Sequence, residues 1–139
     1  MALEITNNDL KSLLPKFRKA LNHGSSLLAQ EVWGNIMEFS PQNHGRLSGS
    51  WKLQKQGERR HLISTNVEYA LVQDQGSDPY EIYPRQAQSL RFQIGGQVIY
   101  AKSVSHPGIQ GTNYISGAIS AGESRVDEFI QTALESEGL

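Results

Sequence analysis

Cysteine is absent from the chain, which excludes a disulfide framework, a thiolate metal site and a cysteine nucleophile. No apolar run approaches the roughly 20 residues that a membrane-spanning helix needs. The opening Met1-Ala2-Leu3-Glu4-Ile5 puts no basic stretch ahead of an apolar block, which predicts no secretory signal. An excess of one charge is also missing. Lys and Arg number 13 against 14 Asp and Glu, a net charge of −1, and this argues against wholesale coating of nucleic acid. The 139 residues are 37% hydrophobic and 19% charged, a composition for one folded domain spanning 1–139.

The near-zero balance hides a division. Residues 1–60 carry nine basic groups against five acidic ones, and residues 61–139 carry four against nine. Two readings fit: ordinary solvated faces, or a protein whose opposite sides attract copies of itself or a charged neighbour.

Apolar residues in the first 40 positions recur at helical spacing: Leu10, Leu13, Leu14, Phe17, Leu21, Leu28, Val32, Ile36 and Phe39. The spacing predicts one amphipathic helix that Asn8 or Ser12 can cap, with Ser12 favoured because it keeps Pro15 near the first turn. Gly24-Ser25-Ser26 is a candidate kink, and Ser40-Pro41 ends the helix. Residues 41–50 read as a turn-rich connection. Strands are expected at 51–56 and 61–67, a helical turn at 68–73 and a loop at 75–79. The clearest hairpin is Leu90–Ile94, Gly95-Gly96, Gln97–Tyr100. A loop at 105–112 leads to a final helix over 113–136 with Asn113 as its cap, its stripe including Ile115, Ala118, Val126, Phe129 and Ala133. This order predicts an α+β fold, a small and mainly antiparallel sheet covered by a long N-terminal helix and a C-terminal helix. Phe92, Val98 and Phe129 are expected to share its core.

Catalytic constellations are scarce. His23, His44, His61 and His106 have no partner at one-turn spacing, so a metal site would need assembly from distant segments. Gly45-Arg46-Leu47-Ser48-Gly49 lacks the glycine spacing and the strand-to-helix order of a nucleophile elbow. Gly108-Ile109-Gln110-Gly111 follows a strand, whereas the glycine-clamped loop of one RNA-binding module joins two helices. The carboxylates form no close pair in a loop, which removes a glycosidase-like acid and base. What remains is a basic group, Arg46, Lys52, Lys55, Arg59 and Arg60, beside Trp51. It suits a solvated hairpin tip, phosphate contact, or an acidic protein surface.

The order of short motifs resembles a family. A long helix ending in Ser40-Pro41, followed by Gly45-Arg46-Leu47 and Ser50-Trp51, is similar to the opening of the head–tail joining and tail-completion proteins of tailed double-stranded DNA bacteriophages. Asn66-Val67-Glu68-Tyr69-Ala70, Gln75-Gly76-Ser77, Ile82-Tyr83-Pro84, Leu90-Arg91-Phe92 and His106-Pro107-Gly108 with Tyr114-Ile115 continue the resemblance over about residues 10–134. It implies a structural virion protein of the neck or tail top, assembled in the host cytoplasm, with no catalysis and no cofactor. Its implied partners are itself as a ring, commonly a hexamer, the tail tube protein and the head connector or adaptor proteins. DNA contact would be incidental to the channel, and no membrane is involved. Interface candidates are then Arg46, Trp51, Lys52, Lys55, Arg59 and Arg60 on the basic side, and Asp74, Asp78, His106, Glu123, Asp127 and Glu128 on the other. The competing expectation is a small nucleic-acid-binding domain that uses the five cations.

Overall fold

The computed structural model describes residues 1–42 and 45–139. They divide into two compact units, one built from Met1–Glu68 with Tyr114–Leu139 and the other from Tyr69–Asn113. The class is α+β.

The first unit is organised on α1, Asn7–Phe39, a helix of 33 residues and therefore about 50 Å long. Its cap, Thr6, lies six residues before the expected Ser12. Thr6 and Asp9 form a reciprocal capping box, with the Asp9 N–H donating to the Thr6 hydroxyl and the Thr6 N–H donating to the Asp9 carboxylate at 2.8 Å. Pro15 consequently sits inside the helix, where residue 15 has no N–H to donate to the Lys11 carbonyl. Gly24-Ser25-Ser26 does not split α1. Gly24 is buried because α5 (Val126–Ser136) crosses there, leaving an added Cβ only 3.7 Å from that of Ala133.

The expected turn at 41–50 is a short helix, α2 (Arg46–Ser50), entered through Gly45 at φ 69°. The Ser50 hydroxyl donates to the Leu47 carbonyl and that of Ser48 to Met37, so these serines close a helical turn onto α1. β1 (Lys52–Lys55) and β2 (His61–Ser64) form an antiparallel hairpin, with Lys52 opposite Ser64 and Lys55 opposite His61. The C-terminal segment is two helices, α4 (Tyr114–Glu123) and α5, instead of one. The break falls where Gly122 weakens the helix and the Ser124 hydroxyl turns back to the Ala121 carbonyl.

The core of this unit is a relay between helix end and strand start. The Trp51 indole N–H donates to the Ser40 hydroxyl at 3.2 Å, and Ser40 donates in turn to the Ile36 carbonyl. Trp33 donates its own indole N–H to the Trp51 carbonyl at 3.1 Å, and Tyr114 meets Trp51 edge-on with centroids 6.4 Å apart. Leu47, Val67, Ala118, Ala20 and Ala133 are also buried in this unit. Phe129 packs on α1 beside Gly24, and Val98 is 40% exposed, so neither is part of the shared core expected with Phe92.

The second unit is an antiparallel arm on a helical base, α3 (Ala70–Gln75). β3 (Gly76–Ser77) pairs with β8 (Ile109–Gln110), β4 (Tyr80–Ile82) with β7 (Val104–His106), and β5 (Leu90–Ile94) with β6 (Gln97–Ala101). The first two ladders share one register: Gly76 faces Gln110 and Ile82 faces Val104, so they are one ribbon interrupted at 78–79 and 107–108. The Gly95-Gly96 turn closes the tip as expected, both glycines at positive φ. Among the described residues the strands thus form four two-stranded antiparallel pairs, and both expected loops contribute to the ribbon.

Candidate interaction surfaces

The basic group lies on several elements of the first unit. Arg46 opens α2, while Lys52 and Lys55 lie on β1, where the pleat sends residues three apart to opposite faces. Arg59 and Arg60 occupy the β1–β2 tip. Arg59 is partly committed, donating to the Asn22 side chain of α1 at 2.9 Å, with Glu58 4.0 Å away. Among the described residues no ion pair engages Arg46, Lys52, Lys55 or Arg60. Trp51 does not belong to a surface patch. It is 9% exposed because its indole N–H requires the Ser40 partner beneath α2.

The acidic candidates also separate. Asp74 is buried at the base of the arm, where its carbonyl accepts from the Asn113 N–H at 2.9 Å, and Asp78 is exposed on the ribbon interruption. Glu128 is bound within its own chain by Arg125. That guanidinium donates to both Glu128 oxygens at 2.9 and 3.0 Å, reaches Glu31 of α1 at 2.9 Å, and lies 4.9 Å above the Phe129 ring. The Arg125 hydrogen bonds hold the Glu128 carboxyl below the usual carboxylate range, and Glu128 followed by Glu31 raises the Arg125 guanidinium further. Glu123 and Asp127 are exposed and make no ion pair among the described residues.

His106 is the most structured of the candidates on the arm. Its ring stacks on Tyr80, directly opposite it in the ladder, with centroids 4.7 Å apart. Its Nδ1 accepts the Gly108 N–H at 3.0 Å, which leaves Nε2 to carry the proton when the ring is neutral. The Ser105 hydroxyl donates to Glu81 beside it. Three glycines make the base possible. An added Cβ on Gly111 would stand 2.5 Å from the Asp74 carbonyl oxygen, one on Gly76 would stand 2.5 Å from that of Ile109, and Gly108 has φ 84°. The Gly76-Ser77 and His106-Pro107-Gly108 motifs, distant in sequence, therefore meet across one ladder, where the Ile109 N–H also donates to the Ser77 hydroxyl at 3.1 Å.

Among the other histidines, His23 lies 3.2 Å from the Ser136 hydroxyl and His61 faces Lys55. His44 lies outside the described residues. No group of three or more His, Asp or Glu among the described residues could hold a metal ion, and none of their helices is long and apolar enough to cross a membrane.

Uncovered apolar side chains, which the charge pattern did not single out, form the larger surfaces. On α1, Leu10, Leu14, Phe17 and Leu21 are all exposed along one face, leading into an apolar groove of about 370 Å³ between α1 and α5. On the arm, Tyr80, Tyr83, Ile94, Val98 and Tyr100 are exposed, Tyr100 to 65%. The signal was present in the sequence, since the stripe of α1 begins well before residue 20 while the C-terminal helices can cover only part of it. No protein-family model, curated protein or solved structure matches the chain.

Proposed function

We propose that the protein is a structural subunit of the neck or tail top of a tailed bacteriophage, working as a ring that completes the tail and joins it to the head connector. The observation that carries this reading is the apolar surface that each unit leaves uncovered. A two-stranded ribbon is marginal in water by itself, and the arm presents tyrosines and β-branched residues with no third strand among the described residues to cover them. Such an element gains its stability by lying against neighbours. Support also comes from the motifs behind the resemblance. Ser40, Leu47, Trp51, Val67 and Tyr114 are among the buried residues of the first unit, and the glycine motifs shape the base of the arm. In this reading they define a scaffold whose surfaces, not a reactive centre, carry the function.

The test is self-association of the purified chain by native mass spectrometry and light scattering, with duplex DNA binding measured beside it at 50 and 200 mM salt. A closed ring with weak DNA affinity is the expected result. A monomer whose DNA affinity collapses with salt would replace it with the nucleic-acid reading.

A further inference from the structure

We infer that the N-terminal third of α1 is a docking element that inserts into the α1–α5 groove of a second copy of this chain, head to tail. The inference deepens the ring reading and rests on it for its biological setting.

The apolar stripe of α1 is continuous. Around Gly24 it is covered by α5, whose last turn reaches the level of His23, and Leu28 lies against Gly122 of α4. Toward the N-terminus the same face continues through Leu21, Phe17, Leu14 and Leu10 without a cover, Leu10 being 53% and Leu14 61% exposed. At a rise of 1.5 Å per residue this uncovered end is roughly 20 Å long, enough for three or four turns to engage a partner. Where it meets α5, Phe17, Leu21, Leu28, Phe129, Ile130 and Leu134 line the groove, and Ile130 is 44% exposed.

Charge selects the occupant. Lys11, Lys16, Arg18 and Lys19 surround the free end of α1 with Asp9 as the sole acid within the same helical stretch, and Asp9 is occupied by the Thr6 cap. After Arg125 the C-terminal segment has no basic residue; Glu128 is held by Arg125, and Asp127, Glu135 and Glu137 make no ion pair among the described residues. None of the four α1 cations makes an ion pair among the described residues. Pairing two α1 ends with each other would bring like charges together. Laying the basic end of one copy into the groove beside the acidic α5 of the next brings opposite charges together along a matched apolar seam. Leu10 and Leu14 on one copy meet the groove of the next, whose wall includes Phe17 and Leu21, so the contact is head to tail, propagates, and closes into a ring if the rotation allows.

Two variants test the contact. Leu10→Lys with Leu14→Lys spoils the helix end while leaving the groove intact, and Ile130→Lys spoils the groove while leaving the end intact. All three side chains are exposed, so melting temperatures should remain near that of the parent. Each variant alone should lose self-association by roughly 30-fold or more, as for a central interface residue. Mixed one to one, they should form a dimer that grows no further, because one good end meets one good groove. Absence of that mixed dimer overturns the head-to-tail contact, as does a parent chain that is monomeric at about 100 μM in the native mass spectrum. If both variants still form the parent's ring, this contact is wrong while the ring reading stands. If an apolar small molecule occupies the groove of a monomeric parent, the inference is overturned in favour of a ligand site.

Discussion

Gly122→Ala exposes how closely α1 and α4 approach. In an exposed helix this exchange stabilises by about 0.5–1 kcal/mol, because alanine loses less backbone entropy on folding. Here Gly122 is buried, and an added Cβ would stand 2.6 Å from Cγ2 of Val32 and 3.6 Å from Cδ1 of Leu28. Val32 is β-branched on a helix and has essentially one χ1 well, so it cannot swing aside without strain. Overpacking of this kind costs about 1–3 kcal/mol, which exceeds the propensity gain. The variant should therefore be less stable by about 1–2 kcal/mol, a fall in melting temperature on the order of 5 °C for a chain of this size. Urea unfolding followed by far-ultraviolet circular dichroism measures it. Val32→Ala alone should also destabilise, yet the double variant should recover at least about 0.5 kcal/mol relative to the sum of the two losses. A Gly122→Ala variant as stable as the parent, or strict additivity with Val32→Ala, would refute the close helix approach.

Gly111→Ala places a Cβ against the backbone of Asp74 and Gln75, so amide exchange over 76–110 should accelerate while that of α1 stays unchanged. Asp9 and Glu128 both have carboxyl groups held below the ordinary range, by the Thr6 hydroxyl and by Arg125 respectively. Lowered folded values mean stabilisation present above about pH 4 and lost as pH falls through those values, so residue-resolved exchange should show the start of α1 and the α4–α5 junction loosening in acid. Thr6→Ala removes the hydroxyl but keeps the backbone N–H on Asp9, so it should weaken the first of these acid effects and leave the second. Arg59→Glu with Arg60→Glu should shift stability by less than about 0.5 kcal/mol, both side chains being exposed, and yet block assembly while duplex binding remains as weak as the parent's. Intact assembly would return these arginines to a solvated turn.

The parts of the fold legible in the sequence were those with a strong local period. The 90–101 hairpin announced itself by alternation around Gly95-Gly96, and α1 by its apolar stripe. Its start was misplaced because Ser12 offered a cap that kept Pro15 near the first turn, whereas the Thr6–Asp9 box supplies two bonds and the helix carries the proline inside. The α4–α5 break left no gap in the apolar spacing; Gly122, the Ser124 hydroxyl on the Ala121 carbonyl, and the fork of Arg125 onto Glu31 and Glu128 mark the turn. The ribbon of β3, β4, β7 and β8 was hidden because strands of two or three residues have no measurable period, and their pairing joins segments some thirty positions apart. Trp51 looked like part of a basic surface because cations neighbour it in sequence. Its environment is set instead by Ser40 and Tyr114, which no local pattern connects to it.

The most direct measurement of the structural reading is electron microscopy of particles assembled without this chain. Filled heads and full-length tails that accumulate separately, and that join when the purified protein is added back, are the predicted result. Joined, infectious particles at the parent yield would contradict it.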